Sequence, residues 1–172
     1  MMHQSLTALI GLLEQEETIY REMAVLLDEE REALLGMAVE RLGEITARKE
    51  TLVLRIKALD ESRKLLARRL GDACGLKPEE VTISRLCLIA PPETAARLSR
   101  IGQALRATLE RCQAVNTFNE RAASRGMSLI GGAIEYLIAQ ADPLGKLYQA
   151  PRAKGYGPAL RHGASGFISR QV

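Results

Sequence analysis

The sequence contains no tryptophan and few other aromatic residues. Two of its 172 residues are Phe and four are Tyr, so its apolar content consists mainly of Leu, Ala, Ile and Val. This composition is typical of helix interfaces and argues against a β-sandwich. The first apolar segment has no Lys or Arg ahead of it and is interrupted by Glu14, which is unlike a signal peptide or a membrane span. We therefore expect a soluble, cytoplasmic protein without direct membrane insertion.

Cysteine and histidine are also scarce. Cys74, Cys87 and Cys112 are far apart and show no C-x-x-C spacing, which argues against a disulfide framework or a zinc site. We interpret them as small buried apolar side chains in a reducing compartment. The only histidines are His3 and His162, and no metalloprotease, hydrolase or nucleotide-binding motif is present. We therefore predict no catalytic, metal-binding or cofactor-binding residues, and a protein that is not an enzyme.

The charges are distributed unevenly along the chain. Residues 1–32 contain eight acids and two bases, whereas residues 143–172 contain five bases and no acid. A basic segment can bind phosphate weakly and in a salt-dependent way. However, aromatic side chains for base stacking are nearly absent, and the acidic first segment would repel DNA. We therefore expect no nucleic-acid partner.

Hydrophobic periodicity predicts four helices. The first, over about 4–35, follows from a seven-residue repeat formed by Leu6, Leu13, Tyr20, Leu27 and Leu34. Alternating three- and four-residue steps predict a second over 38–71, which must fold back on the first as an antiparallel hairpin. Pro78 and the two acids after it predict a short helix over 78–89. Pro91-Pro92 then precede a long helix over 93–141.

Together these elements predict an all-α fold, an antiparallel bundle of three long helices with one short intervening helix. The helical domain would cover residues 1–142, followed by a Gly/Pro-rich basic tail over 143–172 that is flexible when unbound. Charged residues occupy interface positions of both hairpin helices, namely Glu16, Glu30, Lys49 and Arg63. Either these long side chains lean from the interface into water, or they form cross-helix ion pairs that fix the register.

The helix lengths do not match. At about 1.5 Å per residue the first two helices are roughly 50 Å long and the fourth roughly 73 Å, so its apolar stripe near 126–140 has too little of its own chain to cover it. Gly126, Gly131 and Gly132 each cost about 1 kcal/mol relative to Ala in a helix. We infer that this stretch is marginally helical alone and docks a partner. The alternatives are that the 78–89 helix, or a second copy of the chain, covers the stripe.

Three segments, in order, resemble the FlgN family of flagellar type III export chaperones. "EEREALLGMAVERLGEITARKETLVLRIKALDESRKLL" (29–66) is similar to the family's E-R-x-A-L and the K-E-x-L-L-like segment that follows it. "NTFNERAASRGMSLI" (116–130) is similar to its N-x-x-N segment and leucine-rich helix, and "LYQAPRAKGYG" (147–157) to its tyrosine followed by glycines. The Gly131-Gly132 pair departs from the pattern, which has a less broken helix there.

The resemblance implies a chaperone that keeps hook–filament junction proteins, of the FlgK and FlgL types, soluble and unassembled. It also implies delivery to the export apparatus through the FlhA-type gate component. The client would lie as an amphipathic helix on the long helix, contacting Asn116, Asn119, Leu129, Ile130, Ile134, Leu137 and Tyr148. The two asparagines would set the register of the client, or they are polar residues of the bundle interface. Tyr148 and the tail would clamp the client or meet the gate.

Two other functions are compatible with the same bundle. One is a coiled-coil adaptor that self-associates through the long helix and has no role in secretion, and the other is an enzyme subunit without its own site. The chaperone itself could form a homodimer when free of client. The basic, acid-free segment after Pro143 favours the chaperone over a purely structural rod.

Overall fold

The computed structural model of the protein describes residues 2–141, with the backbone alone described at Met2, Pro78 and Ala141. These residues form four α-helices and a 3₁₀ turn, in the order α1 Met2–Leu35, α2 Val39–Cys74, the 3₁₀ turn Pro78–Glu80, α3 Ile83–Ile89 and α4 Pro92–Ala141. The described part of the chain contains no strand, and the predicted all-α class is confirmed. None of these helices is both long and apolar enough to cross a membrane. The predicted tail over 143–172 lies outside the described residues.

The prediction of a single helix over 78–89 is wrong. Pro78 begins only a 3₁₀ turn, and α3 begins five residues later. Between them Thr82 is extended (φ −106°, ψ 157°), and its hydroxyl accepts a hydrogen bond from the backbone N–H of Arg85 at 3.2 Å. A residue that caps a helix in this way interrupts any helix that precedes it. The side chain of Thr82 therefore divides the segment into two elements.

A tight turn reverses the chain between α1 and α2. The N–H of Ala38 donates to the carbonyl of Ala33 at 2.9 Å, and the N–H of Met37 donates to that of Leu34 at 3.3 Å. Met37 has a φ of 52°, the left-handed conformation that this type of helix end requires. The turn satisfies the last carbonyl groups of α1, so α2 can begin at once and run antiparallel to α1.

Helix α1 is the centre of the packing. One cluster of buried side chains joins α1 to the end of α2, to α3 and to the first part of α4, and consists of Leu6, Leu9, Ile10, Leu13, Leu70, Leu86, Leu98 and Leu105. A second cluster joins the later part of α1 to Leu52 and Ile56 of α2 and to Cys112 of α4. Because contacts to α4 advance along both helices together, α4 is parallel to α1 and antiparallel to α2. This is the predicted bundle, with an up-down-up order. The chain divides into two compact units between Asn119 and Glu120, within α4.

The acids of α1 are nearly all used in ion pairs. Seven of the eight acids in residues 1–32 are paired, six of them with bases of α2 or α4 and Glu17 with Arg21 of α1 itself. Lys49 Nζ lies 2.8 Å from Glu30, and Arg63 Nε lies 3.0 Å from Glu16. Of the two interpretations of these interface charges, cross-helix ion pairing is therefore confirmed.

The cysteines do not share one environment. Cys112 is buried, its thiol hydrogen-bonds to the carbonyl of Tyr20 at 3.4 Å, and burial raises its pKa to about 11. Cys112 is therefore a protonated packing residue at neutral pH. Cys74 and Cys87 are only half-buried, so the prediction of burial is correct for Cys112 alone. None of the three cysteines forms a disulfide bond within residues 2–141.

The end of α2 depends on a close backbone approach at Gly71. Its carbonyl accepts a hydrogen bond from the N–H of Leu76 at 2.9 Å, after the chain passes through Gly75 with a φ of 66°. A Cβ added to Gly71 would lie 2.7 Å from the carbonyl oxygen of Leu76. Because backbone atoms cannot move aside as a flexible side chain can, only glycine fits this position.

We expect Gly71→Ala to lower the free energy of unfolding by about 1–3 kcal/mol, the usual cost of overpacking. Gly43→Ala is the matched control, because a Cβ there meets nothing within 4 Å and the helix gains up to about 1 kcal/mol. Urea unfolding followed by circular dichroism measures both variants. Equal stability of the two variants would contradict the close approach at Gly71.

Candidate partner-binding surface

The last part of α4 exposes an unusual amount of apolar surface. Seven large side chains between residues 127 and 138 are 51–71% exposed, namely Met127, Leu129, Ile130, Ile134, Tyr136, Leu137 and Ile138. All of them belong to the second unit of the chain. Their exposure contrasts with that of Leu98, Leu105 and Cys112 of the same helix, which are at most 3% exposed. The sequence predicts Leu129, Ile130, Ile134 and Leu137 as contact residues, and all four are exposed.

These side chains lie on two sides of the helix. At about 100° per residue, five of them fall within an arc of about 100°. We call this set the main row, and it consists of Met127, Ile130, Ile134, Leu137 and Ile138. Leu129 and Tyr136 are seven residues apart and lie about 20° from each other, well away from the centre of the main row. We call these two the side row.

Leu129 therefore does not share the face of the other three predicted residues. The prediction treated Leu129, Ile130, Ile134 and Leu137 as one stripe, whereas positions 129 and 134 differ by about 140° around the helix. Met127, Tyr136 and Ile138 are exposed apolar residues that the prediction missed. Met127 and Ile138 could have been found from their three- and four-residue spacing to Ile130 and Ile134.

The polar side of this segment is narrow. Between residues 127 and 138 only Ser128 and Glu135 are hydrophilic, apart from the hydroxyl of Tyr136. Gly132 lies on the polar side, four residues after Ser128 and three before Glu135, whereas Gly131 borders the main row, four residues after Met127 and three before Ile134. The apolar arc from Tyr136 round to Gly131 spans about 220°.

The glycines of this segment do not interrupt α4. The helix is continuous from Pro92 to Ala141, and a Cβ added to Gly126, Gly131 or Gly132 would meet nothing within 4 Å. None of the three has a positive φ. Neither backbone conformation nor packing among the described residues therefore requires glycine at these positions.

Asn119 lies inside the bundle rather than on its surface. It is 3% exposed, and its Nδ2 donates to the carbonyl of Leu27 at 2.8 Å and to the carboxylate of Glu30 at 2.9 Å. The same carboxylate accepts hydrogen bonds from Lys49 Nζ at 2.8 and 2.9 Å. Asn119 is therefore a polar residue of the bundle interface, which was the alternative interpretation. The expectation that it is presented to a partner is corrected.

Of the two remaining predicted residues, Asn116 and Tyr148, the structure describes only Asn116. Asn116 is half-buried, about one turn before Asn119. Between them Phe118 is 46% exposed, and the Arg31 guanidinium lies 5.9 Å from the centre of its ring. Tyr148 lies outside the described residues.

Helix α3 packs on the first part of α4, where Ile83 Cδ1 would lie 3.0 Å from a Cβ added to Gly102. Leu86 of α3 is buried in the cluster around Leu6 and Leu98. Helix α3 therefore belongs to the core of the first unit of the chain.

The charges on this part of α4 differ from those on α1. Arg125 and Glu135 are exposed, and neither forms an ion pair with another described residue. Arg125 lies four residues before Leu129, beside the side row, and Glu135 lies three residues before Ile138, beside the main row. The two rows therefore have flanking charges of opposite sign.

This surface has the chemistry of a protein-binding site. It presents apolar area with few polar groups, which is typical of surfaces that contact other proteins. Residues 2–141 contain no group of three His, Cys, Asp or Glu side chains that could hold a metal ion. The profile of the FlgN protein family matches residues 1–154, so the chain belongs to the FlgN family of flagellar export chaperones, which bind hook-associated proteins. No curated protein and no solved structure matches the chain significantly.

Substitutions of Asn119 separate packing from hydrogen bonding. Its Oδ1 is buried and has no hydrogen-bond partner among residues 2–141, which costs free energy. We expect Asn119→Ala to lower the free energy of unfolding by about 1–2 kcal/mol, through lost hydrogen bonds and a small cavity. Asn119→Leu fills the space and removes the unpaired oxygen, so we expect stability within about 1 kcal/mol of the wild type.

Urea unfolding of both variants measures this difference. A loss greater than about 2 kcal/mol in Asn119→Leu would show that the two hydrogen bonds outweigh apolar packing at this site.

Proposed function

We propose that the main row of α4 binds an amphipathic helical segment of a hook-associated protein of the FlgK or FlgL type. The protein thereby keeps its client unassembled in the cytoplasm and delivers it to the FlhA-type component of the export gate. The observation that carries this proposal is the exposure of five apolar side chains at helical spacing, in a chain that belongs to the FlgN family. An amphipathic client helix would bury such a row against its own apolar face.

The residues of this interface would act mainly through apolar contact. Ile130 and Ile134 lie near the centre of the main row and Leu137 at its edge, and burying each such side chain contributes about 1.5–3 kcal/mol. Leu129 would contribute from the side row. Because Asn119 is buried, we propose that it positions α4 within the bundle and does not contact the client. Asn116 would lie at the boundary between the bundle and the interface, and Tyr148 would clamp the client or meet the gate.

Self-association through the same row is the competing proposal. A second copy would cover the same side chains, giving a homodimer when no client is present. Light scattering of the isolated chain, with and without a purified FlgK-type protein, separates the two. A monomer that forms a mixed complex favours the chaperone, whereas a dimer that ignores the FlgK-type protein favours a self-associating adaptor.

We expect Ile130→Asp and Leu137→Asp each to weaken binding of a purified FlgK-type protein by at least about 100-fold, because a buried carboxylate replaces an apolar contact. Both side chains are exposed in the free protein, so the thermal stability of the free chain should be nearly unchanged. Isothermal titration calorimetry and thermal unfolding measure the two quantities.

Leu54→Asp is the matched control, since Leu54 is 66% exposed on α2 and lies outside the proposed interface. It should bind the FlgK-type protein normally. Tyr148→Ala in the same assay tests whether that tyrosine clamps the client. Unfolding of the free chain by Ile130→Asp or Leu137→Asp would instead assign the main row to a core.

The paired glycines give a second test. Either Gly131→Ala or Gly132→Ala should favour the free helix by about 1 kcal/mol. Gly131 borders the main row, so a Cβ there would obstruct a closely packed client helix, whereas a Cβ on Gly132 points to the polar side. We expect Gly131→Ala to weaken binding and Gly132→Ala to leave it unchanged or strengthen it.

Titration calorimetry with the same FlgK-type protein checks this difference, and circular dichroism confirms that the two variants are equally helical. A change of the same sign and size in both variants would show that the glycines act through helix flexibility rather than through close approach.

A further inference from the structure

The width of the apolar arc on α4 exceeds what one docked helix covers. A helix that packs against a single neighbour typically presents an apolar face of somewhat more than about 100°. The main row fills such an arc by itself, and the side row extends the apolar surface to about 200°. Leu129 is 71% exposed and Tyr136 is 64% exposed, so the side row is as open as the main row. A client helix seated on the main row would leave most of the side row in water.

The flanking charges show that the two rows suit different segments. Glu135 borders the main row, and Arg125 borders the side row. Within the described residues neither charge is paired, although seven of the eight acids in residues 1–32 are. A segment on the main row therefore fits best if it carries a base near Glu135, and a segment on the side row if it carries an acid near Arg125.

The hydroxyl of Tyr136 supports an acidic segment at the side row. Gln140 Nε2 donates a hydrogen bond to this oxygen at 2.8 Å, so the phenolic O–H remains a donor. A carboxylate of the partner could accept from it while its charge lies near Arg125. Tyr and Arg are also the residue types that contribute most at the centres of protein interfaces.

From this geometry we propose that the hook-associated client covers α4 with two different segments. One is an amphipathic helix with a base that faces Glu135, and it lies on the main row. The other carries an acid that faces Arg125 and Tyr136, and it lies on the side row. This inference rests on the proposed function, and it adds that α4 is held between two parts of one client.

Site-specific photocrosslinking tests the arrangement. A benzoylphenylalanine is placed at position 134 or at position 136 of the full chain, which is irradiated with a purified full-length FlgK-type protein. The crosslinked peptides are identified by mass spectrometry. We expect position 134 to crosslink to one segment of the client and position 136 to a second segment, separate in its sequence.

The outcomes distinguish the two proposals. Crosslinks from both positions to one client segment would overturn the two-segment arrangement and leave the proposed function intact. So would a crosslink from position 136 to residues 142–172, to a second copy of the chain or to nothing, provided position 134 still captures the client. Absence of any client crosslink at position 134 would overturn both.

Charge reversal provides an independent measurement. We expect Arg125→Glu and Glu135→Lys each to weaken client binding about threefold to tenfold at low salt, with a smaller effect at high salt. Arg121→Glu is the matched control, because Arg121 is an exposed arginine one turn before Arg125 and adjoins neither row. Equal effects of Arg121→Glu and Arg125→Glu would indicate a general dependence on charge and contradict a specific acidic contact.

Discussion

The carboxylate of Glu30 joins all three long helices. It accepts hydrogen bonds from Lys49 of α2 and from Asn119 of α4, both at 2.9 Å or less. Because Glu30 is half-buried and binds donors from both neighbouring helices, sliding either helix by one turn would break these hydrogen bonds and lower stability. These hydrogen bonds of Glu30 fix the register of α2 and α4 against α1. The apolar clusters on α1 are long and repetitive and would by themselves tolerate several alignments.

The charges of α1 and those of the last part of α4 are used differently. Seven of the eight acids in residues 1–32 are paired with bases of α1, α2 and α4. Beyond Asn119 the pattern of α4 changes. Apolar side chains continue at helical spacing but are exposed, and the flanking charges are unpaired. Burial of this surface would have to come from another molecule or from residues that the structure does not describe. Membership of the FlgN family makes a hook-associated protein the partner that we propose.

Particular residues show where prediction from sequence succeeded and failed. The seven-residue repeat of α1 and the Pro91-Pro92 start of α4 were sufficient to locate those helices to within two residues. The short helix was misplaced, because the hydrogen bond of Thr82 to Arg85 overrode the favourable start at Pro78. Leu129 was predicted to share one face with Ile134, although the two positions differ by about 140° around the helix. The prediction grouped apolar residues by their closeness in sequence and did not consider this angle. Asn119 lies in a segment that resembles the FlgN family, but only its burial in the structure shows that it is part of the bundle interface.

The sequence alone determined the helical class, the boundaries of the long helices and the apolar character of residues 127–138. Each of these depends on local periodicity and composition, which the chain carries in its own order of residues. The tertiary structure decided which charged residues pair, that Asn119 is buried and that α3 packs on the first part of α4. These outcomes depend on distances between residues about 20 to 90 positions apart, set by the turn at Met37 and by packing around α1. Periodicity indicates which residues share a face, but only packing determines what that face contacts.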